Sequence, residues 1–116
     1  HTVTLKGVTG SEKIKAIMES FRNNPPKEFG KFKVTAFRDY DKNVIIKEDG
    51  TTSETGLPKS NVLYFELDQD AWCCLRPSGT EPKIKFYMGV KGKSLEDAEA
   101  LLKNLTDAML AHVDAE

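Results

Sequence analysis

Seven consecutive residues, Arg76-Pro77-Ser78-Gly79-Thr80-Glu81-Pro82, gather a guanidinium, two hydroxyls and a glycine in one short stretch. These groups suit a phosphate monoester: a planar Arg fork answers two of its charged oxygens at once, and hydroxyls and free backbone N–H groups take the others. Gly79 lets the backbone come close without a Cβ in the way, and the flanking prolines stiffen the entry and exit. The bland alternative is a tight hairpin connection, because Pro, Ser and Gly are the residues that turns use. A P-loop is excluded, since its Gly-rich spacing, its Lys-Ser/Thr pair and its following helix are missing. Ser78 as a nucleophile would need an adjacent base. The only histidines are His1, at the terminus, and His112, within the last helical pattern, so Ser78 reads as a hydrogen-bond donor.

The neighbouring polar clusters carry weaker signals. Glu66, Asp68 and Asp70 surround a turn, but a hard cation needs more converging oxygens than a hairpin presents, so no metal ligand is expected here. Lys83, Lys85, Lys91 and Lys93 tint the region after the loop positive; they either help an arriving dianion or form the wet face of an edge strand. Cys73 and Cys74 are adjacent, and strand neighbours point to opposite faces, which favours structural thiols over a mutual disulfide. Trp72 beside them is assigned to the core rather than to a sugar-stacking platform.

The elements that must position the loop come from a chain of 116 residues, 39% of them hydrophobic, which is enough for one domain spanning 1–116. Seventeen basic and 18 acidic residues leave a formal net charge of -1, so no global field draws nucleic acid or an anionic membrane. Apolar runs are far too short for a membrane helix, and neither a basic-then-apolar leader nor a membrane partner is expected. The expected location is the cytoplasm.

Apolar residues Ile14, Ile17, Met18 and Phe21 recur at helical spacing and predict a helix from Thr9 to Arg22, with Thr9 and Glu12 as a capping box and Pro25-Pro26 as the stop. Residues Thr2 to Leu5 read as a short strand or the tail of a connection. Lys33 to Tyr40 and Asn43 to Ile46 read as strands, and Glu48 to Ser60 as a polar surface loop. A hairpin follows: Leu63, Phe65 and Leu67 alternate with polar neighbours, Asp68-Gln69-Asp70 turns the chain, and Ala71 to Leu75 returns. Ile84, Phe86, Met88 and Val90 alternate with Lys83, Lys85 and Tyr87, so the seven-residue stretch joins two strands. Ser94 then caps a helix with a stripe of Ala98, Leu101, Leu102, Leu105, Met109 and Val113. The sum is an α+β domain, an antiparallel sheet with two helices on one face.

The stretch from Cys74 through Arg76-Pro-Ser-Gly-Thr-Glu-Pro82 to Lys83-Ile-Lys-Phe-Tyr87 resembles the phosphate-binding loop and following strand of the C-terminal, fourth domain of the α-D-phosphohexomutases. The run from Gly10 through Lys15, Met18, Phe21 and Arg22 to Pro26, and the helix opening Ser94-Leu-Glu-Asp97, resemble the same domain in order and spacing, so the likeness covers nearly the whole chain. The Lys-Ile-Lys that follows the loop is most similar to the phosphoglucomutase and phosphomannomutase branch, the former preferred; an Arg-Val ending would have suggested phosphoglucosamine mutase.

This resemblance implies a TATA-box-binding-protein-like α+β fold and a four-domain enzyme that interconverts hexose 1-phosphates and 6-phosphates through a bisphosphate intermediate. It implies that Arg76, Ser78, Gly79 and Thr80 hold the substrate's non-transferring phosphate, with Lys83 contributing only long-range attraction. The family's phosphoserine, its Mg²⁺ loop and its sugar-recognition loop have no counterpart here, so no catalytic residue and no cofactor are expected in this chain. The implied partners are a hexose phosphate and the other three domains of the enzyme. DNA binding does not follow, because fold does not dictate function and this surface is not basic. The rivals are a non-catalytic sugar-phosphate sensor and a protein-binding module that uses the wet face around Tyr64, Lys83, Lys85 and Tyr87.

Overall fold

Alternation of apolar and polar side chains along four neighbouring strands builds one buried face, and two amphipathic helices close over it. A computed structural model describes residues 2–9, 11–78 and 83–114. In chain order the elements are β1 (Thr2–Thr9), α1 (Ser11–Asn23), β2 (Glu28–Phe29), β3 (Phe32–Asp39), β4 (Val44–Lys47), β5 (Thr52–Ser53), β6 (Leu63–Leu67), β7 (Trp72–Pro77), β8 (Lys83–Gly89) and α2 (Leu95–Asp114). The sheet order is β1-β8-β7-β6-β3-β4-β5 with every pair antiparallel, and β2 pairs with β3 off this path.

Register decides what faces inward. Phe37, Phe65, Cys73 and Met88 stand opposite one another in one row across β3, β6, β7 and β8, and all four are buried. Leu63, Leu75 and Phe86 form the next row, fully buried. Onto these rows α1 packs Ile14, Ile17, Met18 and Phe21, and α2 packs Ala98, Leu101, Leu105 and Met109, making one contiguous hydrophobic cluster. Each such large apolar side chain contributes roughly 1.5–3 kcal/mol by leaving water. The α+β arrangement read from the sequence is therefore the observed one, with both helices on one face.

Local devices hold the ends of these elements. Ser94 Oγ accepts the N–H of Asp97 at 3.1 Å while Asp97 Oδ2 accepts the N–H of Lys93 at 2.8 Å, a reciprocal cap at the start of α2. Between β6 and β7, Ala71 N donates to Asp68 O, and Gln69 and Asp70 carry φ of 60° and 59°. Two left-handed central residues give the turn the twist a two-residue hairpin requires. Asp68 Oδ1 accepts the N–H of Lys33 at 2.9 Å, so this carboxylate ties the turn to β3. Gly30, at φ +59°, makes the β2–β3 turn, and a Cβ there would meet Asn104 Oδ1 at 2.4 Å.

Several sequence expectations are corrected. Thr9, assigned to the cap of α1, is the last residue of β1 and stands opposite Lys83. The first strand extends to Thr9 because it has the whole length of β8 to pair with. The polar segment 48–60 contains β5, held by Ile45 and Ile46 of β4, and β2 exists through its pairing with Phe32 and Lys33. Trp72 is not in the core: Cys73 takes the inward position, so Trp72 emerges half-buried on the open face and stacks on Tyr64 at 5.7 Å and 9°.

Candidate phosphate-binding site

Antiparallel pairing of β7 with β8 brings the two ends of the Arg76–Pro82 stretch together. Pro77 stands opposite Ile84, and Ser78 N donates to Lys83 O at 2.8 Å, closing the base of the hairpin. Alternation along β7 sends Cys73 and Leu75 into the core, and so puts Cys74 and Arg76 on the other side. Arg76 is exposed there, whereas Ser78 is half-buried. Gly79 and Thr80, the other two residues assigned to the site, lie outside the described residues, as do Glu81 and Pro82.

Beside this hairpin runs a groove of about 430 Å³, walled on one side by Ile14, Lys15, Met18, Glu19 and Arg22 of α1 and on the other by Pro77, Ser78 and Lys83. Asp41 and Asn61 close its end. The volume is within the range of small-molecule sites. The α1 wall exists because positions 14, 18 and 22 recur on one helical face while 15 and 19 flank it toward solvent.

Arg22, in the wall of the groove, belongs to an ion pair that sequence reasoning missed. Asp39 is the buried charged side chain among the described residues, 1% exposed. It accepts a bond from Arg22 Nε at 2.8 Å, while its second oxygen accepts the N–H groups of Asp41 and Lys42 at 3.0 and 3.2 Å. Arg22 Nη2 donates to Asn61 Oδ1 at 2.9 Å. One guanidinium thus joins α1, the end of β3 and the segment leading into β6. The one signal for it in the sequence is phase: Asp39 follows Phe37 at the inward interval of β3.

Electrostatics on the hairpin are set by burial and by Arg76. Burial pushes the Cys74 thiol up to about 11, and the Arg76 charge opposes that shift. The Cys73 thiol is likewise pushed well above its ordinary value, first by burial and then by Cys74. Both are free and protonated at neutral pH, without the thiolate that nucleophilic chemistry requires. His112 is occupied elsewhere, its Nε2 3.3 Å from Glu28 O and its ring 5.2 Å from that of Phe29. It does not line the groove beside Ser78. Glu66 pairs with Arg38 and Asp70 lies 4.0 Å from Lys91, which leaves that carboxylate group dispersed. Among the described residues no three His, Cys, Asp or Glu side chains converge on a metal position. No described helix is long and apolar enough to cross a membrane.

The architecture is an α+β domain with two helices on one face of an antiparallel sheet, and the β7–β8 hairpin has Ser78 and Lys83 at its base. Residues 14–108 match the family described as phosphoglucomutase/phosphomannomutase, C-terminal domain, and the chain belongs to it. Phosphoglucomutase of Staphylococcus aureus strain bovine RF122 / ET3-1 is 46% identical over 95 residues, covering 81% of this chain and 17% of that protein. The phosphoglucomutase of strain N315 is 44% identical over the same shares. The chain therefore spans 17% of the length of the curated relatives it matches.

Proposed function

We propose that residues 1–116 act as a single domain, the substrate-phosphate anchor of a phosphoglucomutase interconverting glucose 1-phosphate and glucose 6-phosphate. The observation that carries this reading is the hairpin: Arg76 on β7 and Ser78 at the groove mouth open the Arg76–Pro82 loop, within the span matched to the family. Arg76 supplies a bidentate, charge-assisted pair to the non-transferring phosphate, Ser78 and Thr80 supply hydroxyl donors, and Gly79 supplies a backbone N–H. Binding a remote, non-reacting group in this way positions the other end of the sugar for in-line phosphoryl transfer. An anchor that recognises phosphate and ignores the sugar suits a reaction whose bisphosphate intermediate must present either end.

The phosphoryl-transfer chemistry, with the Mg²⁺ expected for the family, is assigned to the remainder of a protein whose relatives this chain spans over 17% of their length. The partners are the hexose phosphate and the other three domains of the same cytoplasmic isomerase; neither nucleic acid nor membrane enters. The names of the relatives favour glucose over the phosphomannomutase alternative.

The test is Arg76→Ala in the full-length enzyme. Charge-assisted hydrogen bonds contribute roughly 1.5–3 kcal/mol each, so kcat/KM should fall by about one to several powers of ten with the circular-dichroism spectrum unchanged. Full activity in that variant removes the anchor role.

A further inference from the structure

Two strands share one edge of β3. The start of β3 pairs with β2, Glu28 opposite Lys33 and Phe29 opposite Phe32, and its end pairs with β4, from Ala36 opposite Lys47 to Asp39 opposite Val44. Between these pairings Val34 N donates to Lys27 O at 2.9 Å, and Glu48 N donates to Thr35 O at 3.0 Å. A second groove, of about 440 Å³, opens at this handover. Among the described residues, none from α1 or α2 lines it.

Register makes the lining apolar. Phe37 stands opposite Phe65 and Ile46 opposite Phe37, so Ile46 extends one inward row of the sheet, and Val34, opposite Leu67, extends another. Pro25 and Pro26 follow the end of α1 at Asn23, so the helix stops short of these positions and the prolines form a wall of the groove instead. Val34 and Ile46 are left half-buried at the margin of the core. Around them stand Lys27, Lys33 and Lys47, all exposed and drawn from three segments, against the single carboxylate of Glu48. Among the described residues no carboxylate lies within ion-pair distance of these three lysines. An apolar groove with a polar rim is the form of an interaction site, and its charge selects a partner of opposite sign.

The chemistry of the occupant follows from what the groove offers. Three lysines on separate segments call for several carboxylates, which one small anion does not carry. The backbone groups along the handover are already paired: besides Val34 and Glu48, Lys47 N donates to Thr51 O at 2.9 Å. An extended peptide would leave its own N–H and C=O groups unmet there, whereas a helix satisfies its backbone internally and needs only an apolar stripe against the floor.

We propose that the groove between Pro25-Pro26 and β4 docks an amphipathic helix of another protein, with apolar side chains on Val34, Phe37 and Ile46 and acidic side chains on Lys27, Lys33 and Lys47. This surface is separate from the phosphate hairpin and does not depend on the anchor reading.

The experiment uses the full-length enzyme and a dye-labelled helical peptide of about 18 residues, with leucines at i, i+3, i+4 and i+7 and glutamates flanking them, followed by fluorescence anisotropy. Two further peptides carry lysines in place of the glutamates, or serines in place of the leucines. The Glu-flanked leucine peptide should bind about tenfold or more tightly than either, and salt should weaken it. Combined Lys27→Glu, Lys33→Glu and Lys47→Glu should invert the preference, so that the Lys-flanked peptide binds best. These exposed substitutions should leave kcat/KM for glucose 1-phosphate unchanged. Equal affinity of the parent and the triple variant for the Glu-flanked peptide, or no binding to the parent, overturns the proposal. Displacement by glucose 1-phosphate, or loss of binding in Arg76→Ala, assigns the peptide to the hairpin and overturns it too. Octanoate binding at this groove with no peptide binding assigns it to a small apolar anion and overturns the helix.

Discussion

Arg22 couples the groove wall to the sheet interior through a single side chain. Its Nε is bonded to Asp39, 1% exposed, and its Nη2 to Asn61, so removing it strands a buried carboxylate whose remaining partners are the backbone N–H groups of Asp41 and Lys42. Breaking a buried pair by deleting one partner costs about 3–5 kcal/mol, much more than the pair contributes relative to apolar residues. Arg22→Ala should therefore lower the free energy of unfolding by about 3 kcal/mol or more in urea titration, with the slope unchanged. A loss below about 1 kcal/mol would mean that water reaches Asp39. The pair was hidden in the sequence because its members lie 17 residues apart on different elements, and only the docking of α1 brings them together. Arg76 and Ser78, by contrast, were legible because their chemistry is local to one turn.

At the level of elements, strand phase was more reliable than residue type. Large aromatic character assigns Trp72 to the core, yet Cys73 and Leu75 fill the inward positions of β7 and leave Trp72 on the open face. Its space there is provided by Gly89, directly opposite on β8: a Cβ at Gly89 would lie 2.4 Å from Trp72 Nε1. Gly89→Ala should push the indole off Tyr64 and destabilise the domain by about 1–3 kcal/mol, the usual cost of overpacking. Because the chain has one Trp, its fluorescence reports the displacement directly, and an unchanged emission spectrum together with unchanged stability would refute the contact. The short β2 and β5 escaped sequence reading for a related reason. Two residues carry no period of their own, and their strand character comes from the register of β3 and β4.

On the scale of the whole molecule, the chain spans 17% of the length of its curated relatives, so most of the surface of such an enzyme lies outside it. Ligand sites that bind tightly bury most of the ligand surface. The 116-residue chain assayed alone should therefore show no conversion of glucose 1-phosphate to glucose 6-phosphate, with the full-length enzyme as the positive control; measurable turnover by the chain alone would show that it carries transfer chemistry of its own. What the sequence by itself determined was local or periodic: the two helical stripes, the hairpins, the alternation that builds one buried face, and the phosphate-suited residues Arg76 to Thr80. Those follow from spacing and side-chain type within a few residues. Tertiary structure alone decided which distant residues share a row or a pocket. The Arg22–Asp39–Asn61 link, the Trp72 stack over Gly89 and the alignment of Arg76 with Lys85 all arise from register and helix docking, which depend on the whole set of pairings at once.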